Sequence, residues 1–126
     1  MGHAGMRIKV FAQSPEDFSA WLAHQRQPAP SPSAIEAAKG AEVFREKNCV
    51  NCHSIAGFMT RGRVAPDLTH VGSRTTLASG TLPNTPENLA KWLTDPQSVK
   101  KGALMPEIGL NPDQIEYLVA YLEGLK

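Results

Sequence analysis

The sequence predicts an all-α domain: three main helices and long loops wrapped around a covalently held group, preceded by a short strand and a short helix. Three observations predict it. Apolar residues recur at helical spacing in three separate stretches, around Phe44, Trp92 and Leu118. Gly and Pro contribute 10 residues each to a chain of 126, a loop-rich composition. The only two cysteines stand together in Cys49-Val50-Asn51-Cys52-His53.

Ile8 and Val10 alternate with the charged Arg7 and Lys9, so Arg7 to Phe11 reads as a short strand. Ser14 then offers an N-cap and Pro15 a first helical residue, and Phe18, Trp21 and Leu22 set an apolar face for a helix to about His24. Gln25 to Ser33 carries Pro28, Pro30 and Pro32 in alternation. Such a run cannot sustain a helix and reads as a semi-rigid extended spacer. It divides the chain into residues 1–24, a linker at 25–33, and a domain at 34–126.

That domain opens on Ser33-Ala34-Ile35-Glu36, a capping-box pattern, followed by a helix to about Asn48 with Ala37, Gly40, Ala41 and Phe44 on one face. Thr85-Pro86 starts a second helix, with Leu89, Trp92 and Leu93 on one side, and Pro96 should end it at or before Asp95. Asn111-Pro112 starts the last, whose stripe is Ile115, Leu118, Val119, Leu122 and Leu125. No long element is expected between Ile55 and Asn84.

Cys49-x-x-Cys52-His53 is the attachment sequence for a c-type haem. Two thiols one turn apart can add across the two vinyl groups of one porphyrin edge, and the next residue is then held under the ring, where its imidazole can bind iron. A zinc site would need further ligands at zinc spacing, and the sequence has no other cysteine and no His-x3-5-His. A thioredoxin-like pair should open a helix after a strand, whereas helix precedes Cys49. One covalent haem c is therefore expected.

The formal charge of +1, with no basic stripe, argues against a nucleic-acid partner. No apolar run is long enough to span a membrane, and no signal peptide is visible. Because haem c is attached outside the cytoplasm, an export signal or anchor is expected in a part of the parent protein beyond this sequence, and a site on the external face of the membrane follows. As a separate piece the chain is expected to be monomeric.

The second axial position on the iron could be filled by Met59, Met105, His70 or His24. Met59 follows too soon after His53 to round the ring edge. Met105 lies far enough along to reach the opposite face, and Pro106 restricts it to extended backbone. His53 and Met105 are thus the expected iron ligands, a pairing that raises the reduction potential.

From Lys39 onward the sequence resembles a class I cytochrome c. The resemblance rests on Gly40 and Phe44, on Cys49-x-x-Cys52-His53, on Ala65-Pro66-Asp67-Leu68, on Met105-Pro106, and on Leu118 to Leu122. It implies the class I cytochrome c fold, with the first and last helices crossing near Gly40 and Tyr121. It further implies that the Pro66 carbonyl orients His53, that Leu68 packs on the haem, and that Arg74 and Trp92 meet the propionates.

Gly2 to Val10, followed by Phe18 and Trp21, is similar to the end of cytochrome c oxidase subunit II. That resemblance makes His3 and Met6 remnants of a Cu_A ligand set whose two bridging cysteines are missing, so copper is not expected here. Together the two resemblances imply the haem c domain of a caa3-type oxidase subunit II, cut within the Cu_A loop. It would be an electron carrier rather than an enzyme by itself, taking electrons from a respiratory donor and passing them to Cu_A. The alternatives are a free-standing cytochrome c, a haem module of another redox enzyme, and a peroxidase or gas sensor with an open sixth position and His70 as its distal group.

Overall fold

The structure is a computed structural model that describes residues 8–58 and 62–126. Five α-helices and one two-stranded ladder make up its regular structure, with short 3-10 turns between them. Helix α1 spans Pro15–Gln25, α2 Ile35–Glu46, α3 Pro86–Thr94, α4 Pro96–Val99 and α5 Pro112–Gly124. The ladder pairs β1, Thr76–Leu77, antiparallel with β2, Leu82–Pro83.

Local chemistry sets most boundaries. Ser14 Oγ accepts the Asp17 N–H at 3.1 Å, and Pro15 follows at the first turn, so α1 starts where the sequence places it. Thr85 caps α3 in the same way, accepting from Asn88. Asn111 and Gln114 close a reciprocal box at the head of α5, with bonds of 2.9 and 3.1 Å.

Two expectations need correction, and a third, the stop of α3 before Pro96, holds and extends. The box at Ser33 does not form. Ala34 is the last extended residue, so Glu36 falls at the second helical position instead of the third and cannot reach back to complete the box. Asp95 and Pro96 do more than stop α3: Asp95 Oδ1 accepts from Gln97 and Ser98 at 3.0 Å each, and Pro96 opens α4. Finally, residues 8–14 form no strand. Ile8 and Val10 are 86% and 89% exposed, with no neighbouring strand among the described residues to take their backbone bonds. Arg7 lies outside the described residues.

The core forms where α2 crosses α5. A Cβ at Gly40 would sit 2.0 Å from the Tyr117 carbonyl oxygen and 2.6 Å from Tyr121 Cβ, so glycine sets how closely the two backbones approach. Phe44, Phe58 and Tyr121 pack around that crossing with centroids 5.9 to 6.5 Å apart. Burial pushes the Tyr121 phenol up to about 12, offset in part by Arg45. Ile55, Leu118 and Leu125 fill the centre, and α3 adds Leu89 and Leu93.

The spacer after α1 is seated on the domain. Ala29 N–H donates to the Ala56 carbonyl at 2.9 Å, Ala29 packs on the core, and Pro28 presses against Gly57. Helix α1 itself buries no side chain fully, but its His24 ring lies 4.7 Å from that of His70. Among the described residues no helix is long and apolar enough to cross a membrane.

Candidate haem site

Helix α2 ends at Glu46 with Lys47 as its C-cap, and Asn48 then takes a left-handed conformation, φ 61°, which suits asparagine after a helix end. The reversal feeds a 3-10 turn, Cys49–Asn51, whose first carbonyl accepts from both Cys52 N–H (3.2 Å) and His53 N–H (2.9 Å). One tight turn thereby presents two thiols and an imidazole. Both cysteines are free. Cys49 is half-buried against the core, Cys52 is exposed, and burial pushes the Cys49 thiol up from its ordinary value.

The 62–69 segment lies along this turn and positions His53. Ala65 N–H donates to the Cys52 carbonyl (3.0 Å) and Leu68 N–H to the Ser54 carbonyl (2.7 Å). Gly62 passes so close that a Cβ there would stand 2.2 Å from the Cys52 carbonyl carbon. The Pro66 carbonyl oxygen consequently lies 2.8 Å from His53 Nδ1. A carbonyl can only accept, so Nδ1 carries the hydrogen and Nε2 keeps a lone pair for a metal.

Asp67 locks this register. Its carboxylate accepts from Ser54 Oγ and from Thr69 N–H, both at 2.8 Å, while Thr69 Oγ1 accepts from Ala56 N–H. Burial pulls the Asp67 carboxyl upward, but the bonds from Thr69 and Ser54 and the nearby Arg74 guanidinium outweigh it and hold the group below its ordinary value. Arg74, expected beside a propionate, donates to the Asp67 carbonyl. Trp92 is half-buried on α3. Leu68 is half-buried against the core cluster that also receives Cys49, Val50, Phe58 and Met105.

Met105 lies on the loop between α4 and α5. Sequence reasoning missed what holds that loop: Gln97 of α4 donates from Nε2 to the Ala103 and Met105 carbonyls (2.6 and 3.2 Å) and accepts Gly102 N–H at Oε1. The pattern Pro-Gln after a capping aspartate was its only signal. His70 and His24, the other candidate ligands, face each other. Met59, His3 and Met6 lie outside the described residues. A groove of about 850 Å3 between α1 and residues 67–80 borders none of Cys49, Cys52, His53 and Met105.

These residues fit a c-type haem: two free thiols on one turn, an imidazole held with Nε2 available, and a thioether packed on the same core. A family model described as Cytochrome c matches residues 37–126. Three curated proteins, each named Cytochrome c oxidase subunit 2, are similar to the chain. They are 36% identical over 125 residues in Alkalihalophilus pseudofirmus, 35% over 129 in Bacillus subtilis and 38% over 130 in Bacillus sp. PS3. Each match takes in 98% of this chain and 36% of the relative, so the chain spans little more than a third of their length.

Proposed function

The chain belongs to the cytochrome c family, and from that premise we propose that it is the haem c electron-transfer domain of a caa3-type oxidase subunit II. The observation that carries the proposal is the His53–Pro66 contact, made directly beside two free thiols. In this reading Cys49 and Cys52 hold one haem covalently, and His53 Nε2 and Met105 Sδ are the axial ligands. When bound, the haem supplies a reversible one-electron couple whose potential the thioether raises. The chain's own residues do the rest: Pro66 fixes the His53 ring, Asp67 fixes Pro66, Gln97 holds the Met105 loop, and the α2–α5 core excludes water from one side.

The oxidase context is supported by the relatives matching across 98% of the chain, well before the family match begins at residue 37. A free-standing cytochrome c gives no reason for that leading similarity. The domain would then work on the external face of the membrane, accept electrons from a respiratory donor and pass them to a Cu_A centre on the same polypeptide. His3 and Met6 are read as two ligands of that centre, whose set also needs two bridging thiolates.

Mass spectrometry of protein made with a cytochrome c maturation system is expected to show one covalent haem, and the ferric spectrum a far-red methionine-to-iron band. Unmodified protein with free thiols at Cys49 and Cys52 would overturn the proposal.

A further inference from the structure

Residues 104–110 make no backbone-to-backbone hydrogen bond with any described residue, although the proposed axial ligand Met105 lies among them. Met105 packs on the rim of the core, and Pro106 after it has no N–H to give. What reaches its backbone is a side chain of α4. Pro96 is fully buried at the head of that helix, and Asp95 Oδ1 accepts from the Gln97 and Ser98 N–H groups, so this single turn is fixed to the body of the domain. Gln97 extends from it to three backbone groups. Its Nε2 donates to the Ala103 and Met105 carbonyls at 2.6 and 3.2 Å, and its Oε1 accepts from Gly102 N–H at 3.2 Å. The set suits a primary amide, which carries two hydrogens and an acceptor on one rigid group. A carboxylate could take the Gly102 bond but has no hydrogen for the two carbonyls.

We infer that Gln97 is the positioning residue for the axial thioether: its three bonds keep Met105 at the ferric iron, and so set both the reduction potential and the entry of competing ligands. The inference rests on the haem reading with Met105 as a ligand. A thioether is a soft donor and ferric iron the harder of the two oxidation states. Ligation in that state therefore depends most on a loop already held in the binding conformation. Releasing the loop lowers the ligated fraction of ferric protein, and the apparent affinity for any ligand that must displace Met105 rises by the same factor. Ferrous iron keeps the thioether better, so ferric protein is the form that gains from the release and the potential falls.

The test uses ferric haem-loaded protein and two variants, Gln97→Ala and Gln97→Glu. Gln97 is exposed, so both keep the fold. In Gln97→Ala the far-red methionine-to-iron band should weaken and the potential fall. Titration with imidazole at neutral pH should show an apparent affinity higher by roughly tenfold or more, since each bond lost is worth a factor of a few. Gln97→Glu supplies a readout that general loosening of the loop would not give. At neutral pH its carboxylate faces two carbonyl oxygens, and the band should be weaker than the parent's. Acidifying through the ordinary glutamate range, around pH 4.3, returns one hydrogen to that group, and the band should recover toward the parent's at the same pH. A parent protein without the band overturns the Met105 reading, and the inference with it. A parent with the band, and variants that match it in band, potential and imidazole affinity, overturns the inference alone, as does a Gln97→Glu band that does not respond to acid.

Discussion

Single atoms decide the chemistry of the site. The Pro66 carbonyl at 2.8 Å assigns the hydrogen to His53 Nδ1 and so leaves Nε2 with a lone pair, free for the proposed iron. On the far side, Met105→Ala should give a high-spin or water-ligated iron and lower the reduction potential substantially, within the range of about 0.8 V that axial ligands span. Met59→Ala should leave the spectrum and the potential as they are, and loss of low-spin character in that variant would move the ligand to Met59. Asp67 supplies a pH dependence. Its carboxyl is held below the ordinary 3.8 in the folded chain. Folding therefore gains from this group above that pH, and the gain is lost as pH falls through the lower folded value. Urea titrations at a series of acidic pH values should show a shallower acid loss for Asp67→Asn, alongside lower stability near neutrality because two hydrogen bonds lose their charged acceptor.

At the scale of elements, legibility tracked how local the determining interaction is. Ser14, Thr85 and Asn111 each bond a backbone N–H three residues on, so residue identity and spacing are enough to place α1, α3 and α5. The box at Ser33 failed by one position, because only the backbone decides that Ala34 rather than Ser33 is the last extended residue. Helix α4 was illegible since Pro96 is read first as a stop, and its role as a start depends on the Asp95 side chain turning forward. The strand at 7–11 was expected from alternation alone, which identifies a candidate strand but supplies no partner for it. The crossing of α2 and α5 makes a stability prediction. Alanine at Gly40 gains helix propensity of up to about 1 kcal/mol, yet its Cβ would overlap the Tyr117 backbone carbonyl, which no rotamer change relieves. The clash wins: Gly40→Ala should lose about 1–3 kcal/mol in urea unfolding, and a variant as stable as the parent would show that the helices can slide apart freely.

For the whole molecule, the spacer changes what tethering can do. An extended proline run spans about 3 Å per residue and by itself suggests a haem edge free to visit its acceptor. The structure instead holds that run down, with Ala29 bonded to Ala56 and Pro28 against Gly57. In the proposed linked protein a seated spacer would limit the search to a few geometries and would keep Cu_A at an effective concentration of roughly millimolar or above. The near-neutral charge of +1 agrees with an encounter that needs little long-range steering. In the proposed linked protein, flash reduction of the haem should therefore be followed by an electron-transfer phase to Cu_A whose rate does not change with protein concentration. The separate chain should still reduce an isolated Cu_A domain, at a rate proportional to concentration and with affinity only in the micromolar-to-millimolar range, because the tether would have removed most of the association entropy. A linked protein lacking the unimolecular phase, and responding instead to added free chain, would identify a carrier that works by diffusion.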